Sequence, residues 1–238
     1  MATLLQLRSK VRVLISQEDN TDTDLTDLQI DGFLNEAQTF FATQTKHPVK
    51  TAEVNPQEGY DVYTLPSDYL LLRFALFGNP TVQGDIRRLK QYTPDVLTEL
   101  RPSWYETASA SRNRPQSITI ISKYKALINP CPDSTYNSTN GYKFIIYYVY
   151  YPATMVLDGS SPDLPLAYHD HLALYACHLA YLGKLKNPDL ATKFLTDCMN
   201  KIKLIEPAST KETEDLYFAF GNSDDLSTGD TSIIMDRG

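Results

Sequence analysis

The 238-residue sequence predicts an α+β protein, in which helix pairs from both ends of the chain form one bundle, with a β-rich subdomain inserted between the pairs in sequence and an extended tail at the C-terminus. Apolar residues recur at helical spacing near the N-terminus and again from residue 164 onward. Between these segments, turn residues, β-branched residues and aromatic residues dominate. The predicted units are a discontinuous helical bundle domain (residues 1–47 and 163–206), an inserted β-rich domain (48–162) and an acidic, extended C-terminal arm (207–238).

Two helices are predicted at the N-terminus. Residues 3–17 repeat apolar side chains every three or four positions, which is typical of an amphipathic helix. Thr26 and Gln29 have the spacing of a capping box, so we expect the second helix to begin there. Its apolar stripe ends near Thr45, and Pro48 follows as a stop signal.

The middle of the chain predicts strands. The apolar run 69–77 is consistent with a strand buried on both faces or with a short helix, and periodicity does not decide between them. Four of the 16 tyrosines lie within residues 147–151. This pattern is typical of a surface that becomes buried during assembly, and equally of the aromatic ladder of an ordinary strand. The other expected strands are 60–65, 86–93, 117–122, 125–130 and 142–153, with a short helix opening at Pro94.

Two further helices are predicted before the arm. Asn187 caps the last of them, Pro188 takes its first position and Pro207 ends it. Within the arm, the apolar islands 216–220 and 233–235 either become ordered on a partner or fold back on the domain. The stripe of the first of the two helices is expected to be Leu164, Tyr168, His171, Leu172, Tyr175, Leu179 and Leu182.

The composition excludes several classes of protein. The formal net charge of −7 argues against a nucleic-acid binder, which needs basic residues to displace counterions. The sequence contains no run of 18 apolar residues, so it predicts no membrane-spanning helix. Its N-terminal segment lacks the pattern of a signal peptide. We therefore expect synthesis and retention in a cytoplasm, with Cys131, Cys177 and Cys198 as reduced structural thiols.

The stretch YHDHLALYACH (168–178) has the composition of a metal site but not the spacing. On a helix, His169 and His171 point about 200° apart, and His171 and His178 are separated by about 10.5 Å of rise. Neither pair fits one ion that binds nitrogen near 2.1 Å. We predict no metal site, with His171 and His178 on a packed helix face and His169 facing solvent or a neighbouring subunit.

Catalytic signals are weak throughout the sequence. No nucleophile elbow, phosphate-binding loop or dinucleotide fingerprint is present. Four carboxylates stand apart in the sequence, and their spacing does not show whether any two of them lie close together in the fold. They are Glu36, Asp61, Asp68 and Glu99. We predict no catalytic residue and no cofactor, and a two-carboxylate cell-wall hydrolase is the alternative. A DNA-binding module built on the N-terminal helix pair is a third hypothesis, which the charge disfavours.

Several segments in a shared order resemble the head-to-tail connector proteins of tailed bacteriophages, also called adaptor or head-completion proteins. The likeness is to those of short-tailed phages in particular, including the tail tubular protein A type, and it covers about residues 1–206. No single motif is specific, and the order and spacing make the match. The segments are LRSKVRVLISQ, FLNEAQTFF with its N-x-A pattern, YTLPSDYLLLR, RRLKQYTPDVL with PSW, LINPCP, YYVYYPATM and DLPLAYHDHLALYACHLAYL.

The resemblance implies a structural virion protein at the head–tail junction, assembled in the cytoplasm of the bacterial host. Such a subunit joins a ring, commonly twelvefold, that docks under the portal protein and continues the DNA channel without binding DNA specifically. Its other partners would be the tail nozzle or tube protein and tail fibres. In relatives the C-terminal segment reaches the portal, so Leu216, Tyr217, Phe218 and Phe220 are the candidate anchors of a docking arm.

Overall fold

A computed structural model describes residues 1–18, 25–100 and 112–221, with side chains described up to residue 205 except at 17, 18 and 100. It confirms the mixed α+β class. The helices are α1 (Leu4–Glu18), α2 (Asp27–Thr45), α3 (Pro94–Leu100), α4 (Leu166–His169), α5 (Leu172–Gly183) and α6 (Pro188–Gly221). The strands are β1 (Val49–Val54), β2 (Val62–Thr64), β3 (Tyr69–Gly78), β4 (Arg87–Arg88), β5 (Lys90–Tyr92), β6 (Ser117–Ser122), β7 (Lys125–Asn129) and β8 (Lys143–Tyr150).

The strands form two four-stranded sheets, in the orders β1-β8-β3-β4 and β2-β7-β6-β5. In the first sheet every pairing is antiparallel, and β8 lies between β1 and β3. In the second sheet β5 and β6 are parallel and the other pairs are antiparallel. Because β4 and β5 are consecutive in sequence but belong to different sheets, residues 87–92 connect the two sheets.

Helices from both ends of the chain share one hydrophobic core. The core combines the inward faces of α1, α2, α5 and α6, and Val149 of β8 and Met155 join it from the β-rich part. Alanines at positions 173, 176 and 180 of α5 are fully buried, so neighbouring helices approach α5 closely. The other large cluster of buried apolar residues lies between the two sheets and is rich in aromatic rings, including Tyr63, Phe77 and Phe144.

Most of the predicted elements are confirmed. Thr26 and Gln29 form the capping box of α2 with both reciprocal bonds present, and Lys46 in the left-handed conformation follows its last residue. Asn187 accepts a hydrogen bond from the backbone N–H of Leu190, with Pro188 as the first residue of α6. The ambiguous run 69–77 is a strand, although several of its residues are only partly buried. Strand β1 was missed by the sequence analysis.

The predicted stripe across residues 164–182 is only partly correct. Leu164, Tyr168 and Leu172 belong to the core, but two helices occupy this stretch and the chain turns between them at Asp170 and His171. This break changes which side of α5 meets the core, and an almost uniformly apolar segment offers no periodicity to choose a face. The exposed Leu182 lies outside the core. The side chains of α5 that are buried are those of Leu172, Ala173, Ala176, Cys177, Ala180 and Tyr181.

The prediction that Pro207 ends the last helix is also wrong, since α6 continues to Gly221. A proline inside a helix removes one backbone hydrogen bond and costs about 3 kcal/mol, which is a local cost. The residues that follow include Ala208, Lys211 and Glu212, which favour helix and allow it to continue. The first part of the C-terminal arm is therefore helical. The island 233–235 lies outside the described residues.

All three cysteines are buried as free thiols. Burial raises the pKa of the Cys177 and Cys198 thiols to about 12, so both stay protonated at neutral pH. Within the described ranges, no helix is both long enough and apolar enough to cross a membrane.

Candidate interaction surface

The histidines of the 168–178 stretch are structural. His169 is 2% exposed, which corrects the prediction that it faces solvent or a neighbouring subunit, and its Nε2 lies 2.9 Å from the carbonyl of Leu164. His178 Nδ1 lies 2.9 Å from the carbonyl of Ala191, and this contact ties α5 to α6. His171, expected on a packed face, is only partly buried, and desolvation lowers its pKa.

The described residues contain no cluster of three or more His, Cys, Asp or Glu side chains that could hold a metal ion. Of the four carboxylates considered for a hydrolase, Asp68 is held in an ion pair. Its pKa is lowered, first by the hydrogen bond from Lys50. A general acid needs a raised pKa, so Asp68 is unsuited to that role.

The three cations of the N-terminal LRSKVR segment are engaged with carboxylates. Arg8 makes a bidentate pair with Asp31 at 3.0 and 2.8 Å. Arg12 Nη2 lies 2.8 Å from Asp27, and Lys10 Nζ lies 3.1 Å from Asp170. These pairs fasten α1 to α2 and to the turn between α4 and α5. They leave the N-terminal helix pair poorly suited to bind DNA phosphates.

A polar clamp joins the β-rich part to α2. It is formed by Asn35 and Gln38, which belong to the FLNEAQ segment. Asn35 Oδ1 accepts the backbone N–H of Met155 at 2.8 Å, and Asn35 Nδ2 donates to the carbonyl of Met155 at 3.1 Å. Gln38 Oε1 accepts the N–H of Asp163 at 2.8 Å, and Gln38 Nε2 donates to the carbonyl of Ala153 at 3.3 Å. The chain leaving β8 is thereby fixed to the helical core.

A second clamp lies at the start of β3, within the YTLPSDY segment. Asp68 accepts hydrogen bonds from Lys50 Nζ of β1 at 2.8 Å and from the Tyr148 hydroxyl of β8 at 2.9 Å. Burial, and next the bond to Asp68, raises the pKa of Tyr148 to about 12. Asp68 therefore holds three strands of the first sheet in register.

The crowded tyrosines serve two different faces of β8. Tyr148 is buried between the sheets, whereas Tyr147 lies on the outer face and stacks on Phe74 with ring centroids 4.2 Å apart. Tyr150 donates to Asp163 at 2.8 Å, and Tyr151 is 38% exposed. The aromatic ladder of an ordinary strand is confirmed for the buried face, and burial of the half-exposed face on assembly stays a prediction.

A cationic groove lies beside that aromatic surface, along β4 and β5, in the part of the chain that the structure describes. It comprises two adjoining grooves of about 460 and 330 Å³ that share Arg88, Lys90 and Tyr92. Among the described residues that line them, none is acidic. Their basic residues are Arg73, Arg87, Arg88, Lys90 and Arg114.

The wall of the cationic groove combines charge with aromatic rings. The Arg88 guanidinium lies 5.5 Å from the centroid of the Phe74 ring. Arg114 pairs with Asp85 at 2.8 Å, so one cation of the groove is compensated by an adjoining carboxylate. A strand was predicted at 86–93, but the groove was not. The signal in the sequence was three basic residues within 86–90 and a fourth at position 73.

The predicted anchors Leu216, Tyr217, Phe218 and Phe220 lie on the backbone of α6, and their side chains fall outside the described part of the chain.

The sequence profile of the SU10 adaptor protein family matches residues 2–215, which is most of the chain. The chain belongs to this family. A search of curated proteins found no match. Membership confirms the resemblance to phage head–tail adaptor proteins that the order of segments indicated, and it is consistent with a structural virion component rather than an enzyme. In this SU10 adaptor protein, the FLNEAQ and YTLPSDY segments that carried the resemblance are the ones that form the two clamps.

Proposed function

We propose that this SU10 adaptor protein is a subunit of a head-to-tail adaptor ring, with a twelvefold arrangement as the expected form. The ring joins the portal protein to the tail nozzle or tube and continues the DNA channel, and tail fibres contact its outer side. The family match over residues 2–215 is the observation that carries this proposal. The role is mechanical, with no catalytic step and no cofactor.

The proposed division of the subunit is supported by the two clusters of buried apolar residues. Residues 1–47 and 163–206 form the helical body that meets the portal and neighbouring subunits, and residues 48–162 form the inserted part that faces the tail. The clamp made by Asn35 and Gln38 makes these two parts move as one body. Such stiffness suits a ring that must hold its diameter while DNA passes through it.

The negative charge of the chain is concentrated in its C-terminal arm. From Glu206 onward, eight acidic residues and two basic residues account for six of the seven net negative charges. The body before Glu206 is therefore close to neutral. In this proposal DNA slides past the wall because a nearly neutral body has no net positive charge to displace its counterions.

Negative-stain microscopy of the purified chain mixed with the portal protein of the same phage tests the proposal. We expect rings stacked on portal rings, formed from a chain that is mostly monomeric alone. A mixture with neither rings nor complexes would overturn the adaptor role. A variant ending at residue 205 should keep its fold and lose affinity for the portal complex, and unchanged affinity would remove the arm from the docking mechanism.

A further inference from the structure

Strand β1 is the longest of the described strands that lie at the edge of a sheet. It has six residues, whereas the other edge strands β2, β4 and β5 have three, two and three. Its pairing with β8 runs from Val49 to Val54 without a shift of register. The free edge of β1 is therefore a regular stretch of roughly 20 Å.

The register shows which backbone groups of β1 point away from its sheet. The N–H of Tyr150 donates to the carbonyl of Pro48, and residues that bond to the partner strand alternate with residues that do not. The even-numbered residues of β1 therefore bond to β8, and the N–H and C=O groups of Val49, Thr51 and Glu53 point outward. Across the described ranges, none of these outward groups has a hydrogen-bond partner.

This edge lacks the features that usually prevent an edge strand from pairing. Those features are charged side chains, prolines and bulges, and β1 contains neither a proline nor a bulge. Its two charged side chains are held on its own sheet. Lys50 pairs with Asp68 at 2.8 Å, and Glu53 pairs with Lys143 of β8. The edge is therefore open to an added strand.

The core between the two sheets is also incompletely covered at β1. Ala52 and Val54 pack against this core but are only partly buried. An added strand would place every second side chain beside these two residues, because side chains of neighbouring strands share a face. Apolar side chains at those positions would extend the core and remove more of Ala52 and Val54 from water.

We propose that an extended segment of the tail nozzle or tube protein adds to β1 as a further strand of the first sheet. The segment is about six residues long and bonds to the backbone of Val49, Thr51 and Glu53. Its inward side chains are apolar, and it needs no charge of its own because those of β1 are already paired. This proposal rests on the proposed function, in which the β-rich part faces the tail, and it names the contact by which the tail binds.

A second copy of the chain fits this edge less well. Two β1 edges that pair with each other form a two-fold contact, which closes at two subunits and does not build a ring. Pairing with β2, β4 or β5 of a second copy would involve at most three residues, since these strands are no longer than that. A segment of another protein can pair with all six residues of β1.

Thr51→Pro tests the pairing, because proline removes the outward N–H and places its ring on the free edge. The bonds to β8 remain, so we expect the variant to form rings on the portal as the wild type does. The affinity of these rings for the tail nozzle or tube protein should fall by about tenfold or more. Thr51→Val keeps the N–H and should stay within about threefold of the wild type. Thr64→Pro, at an outward position of the edge strand β2, should leave tail binding unchanged.

Hydrogen exchange of the wild type, measured at single amides, detects the added strand directly. In rings on the portal, the amides of Thr51 and Glu53 should exchange fast, whereas the amide of Ala52 is protected by its bond to β8. Addition of the tail nozzle or tube protein should slow exchange at Thr51 and Glu53 by about 100-fold or more and leave Ala52 unchanged. This pattern decides the proposal even if Thr51→Pro does not fold.

Several results would overturn the added strand and leave the adaptor role standing. They are rings that do not bind the tail protein, binding without new protection at Thr51 and Glu53, and unchanged tail affinity of folded Thr51→Pro. Protection that appears on ring formation, before the tail protein is added, would assign the edge to a second copy, to the portal or to the chain itself, and would also overturn it. If the wild-type chain forms no rings on the portal, the adaptor role fails and this proposal fails with it.

Discussion

Replacing Asn35 by alanine tests how strongly the clamp holds the β-rich part on the helices. The change leaves the N–H and C=O of Met155 without their amide partner, and Met155 is only 3% exposed. Each unsatisfied buried backbone group costs about 1–3 kcal/mol, so we expect a loss of about 2–4 kcal/mol in the free energy of unfolding. For a chain of this size the midpoint of thermal unfolding should fall by roughly 6–12 °C.

Circular dichroism melts and urea unfolding at pH 7 measure this loss. The matched control is Thr43→Ala on the same helix, which removes an exposed hydroxyl that donates to the carbonyl of Thr39. That change should stay within about 0.5 kcal/mol of the wild type. Asn35→Asp keeps the acceptor for the N–H of Met155 but turns an oxygen toward its carbonyl, so it should also destabilise. A melting midpoint for Asn35→Ala within 2 °C of the wild type would refute the clamp.

Two further predictions concern the sheet and the helical core. The hydrogen bond from Lys50 lowers the pKa of Asp68 in the folded protein. The stability that this carboxylate supplies is therefore complete above the pKa of an unfolded aspartate, about 3.9, and is lost as the pH falls through the lower pKa of the folded state. The urea midpoint of Asp68→Asn should therefore lie below that of the wild type at pH 7 and approach it as the pH falls through the lowered pKa of Asp68. A gap independent of pH would contradict this account. Ala176→Leu should cost about 1–3 kcal/mol by overpacking a fully buried position, whereas Leu182→Ala, at an exposed site on the same helix, should cost little in the same urea titration.

The parts of the fold that could be read from the sequence are those with a local signal. The capping box at Thr26 and the cap at Asn187 depend on residues three positions away, so their spacing is enough to predict them. Strand β8 alternates inward and outward side chains over its first six residues, so it could also be predicted from the sequence. Strand β1 was missed because its residues are partly or fully exposed and it is defined mainly by pairing with β8.

The interaction surface was less predictable, because it forms only when distant segments meet. The cationic groove combines residues of β3 with those of β4, β5 and the segment before β6, and no single stretch of sequence contains it. The face of α5 was misassigned for a different reason. Its residues are apolar almost all round, so the face toward the core is set by the turn at Asp170 and by the neighbours of the helix.

The two clamps constrain their partner residues to different degrees. Asn35 and Gln38 bind backbone atoms of Met155, Ala153 and Asp163, so the identity of the partner side chains matters little. Only the amide residues and the distance along the chain to the partner loop are constrained. Asp68, by contrast, binds the side chains of Lys50 and Tyr148 and constrains both. Substitutions at positions 153 and 155 that keep an apolar side chain should therefore preserve the joint, whereas Tyr148→Phe should weaken the sheet while leaving the joint to α2 intact.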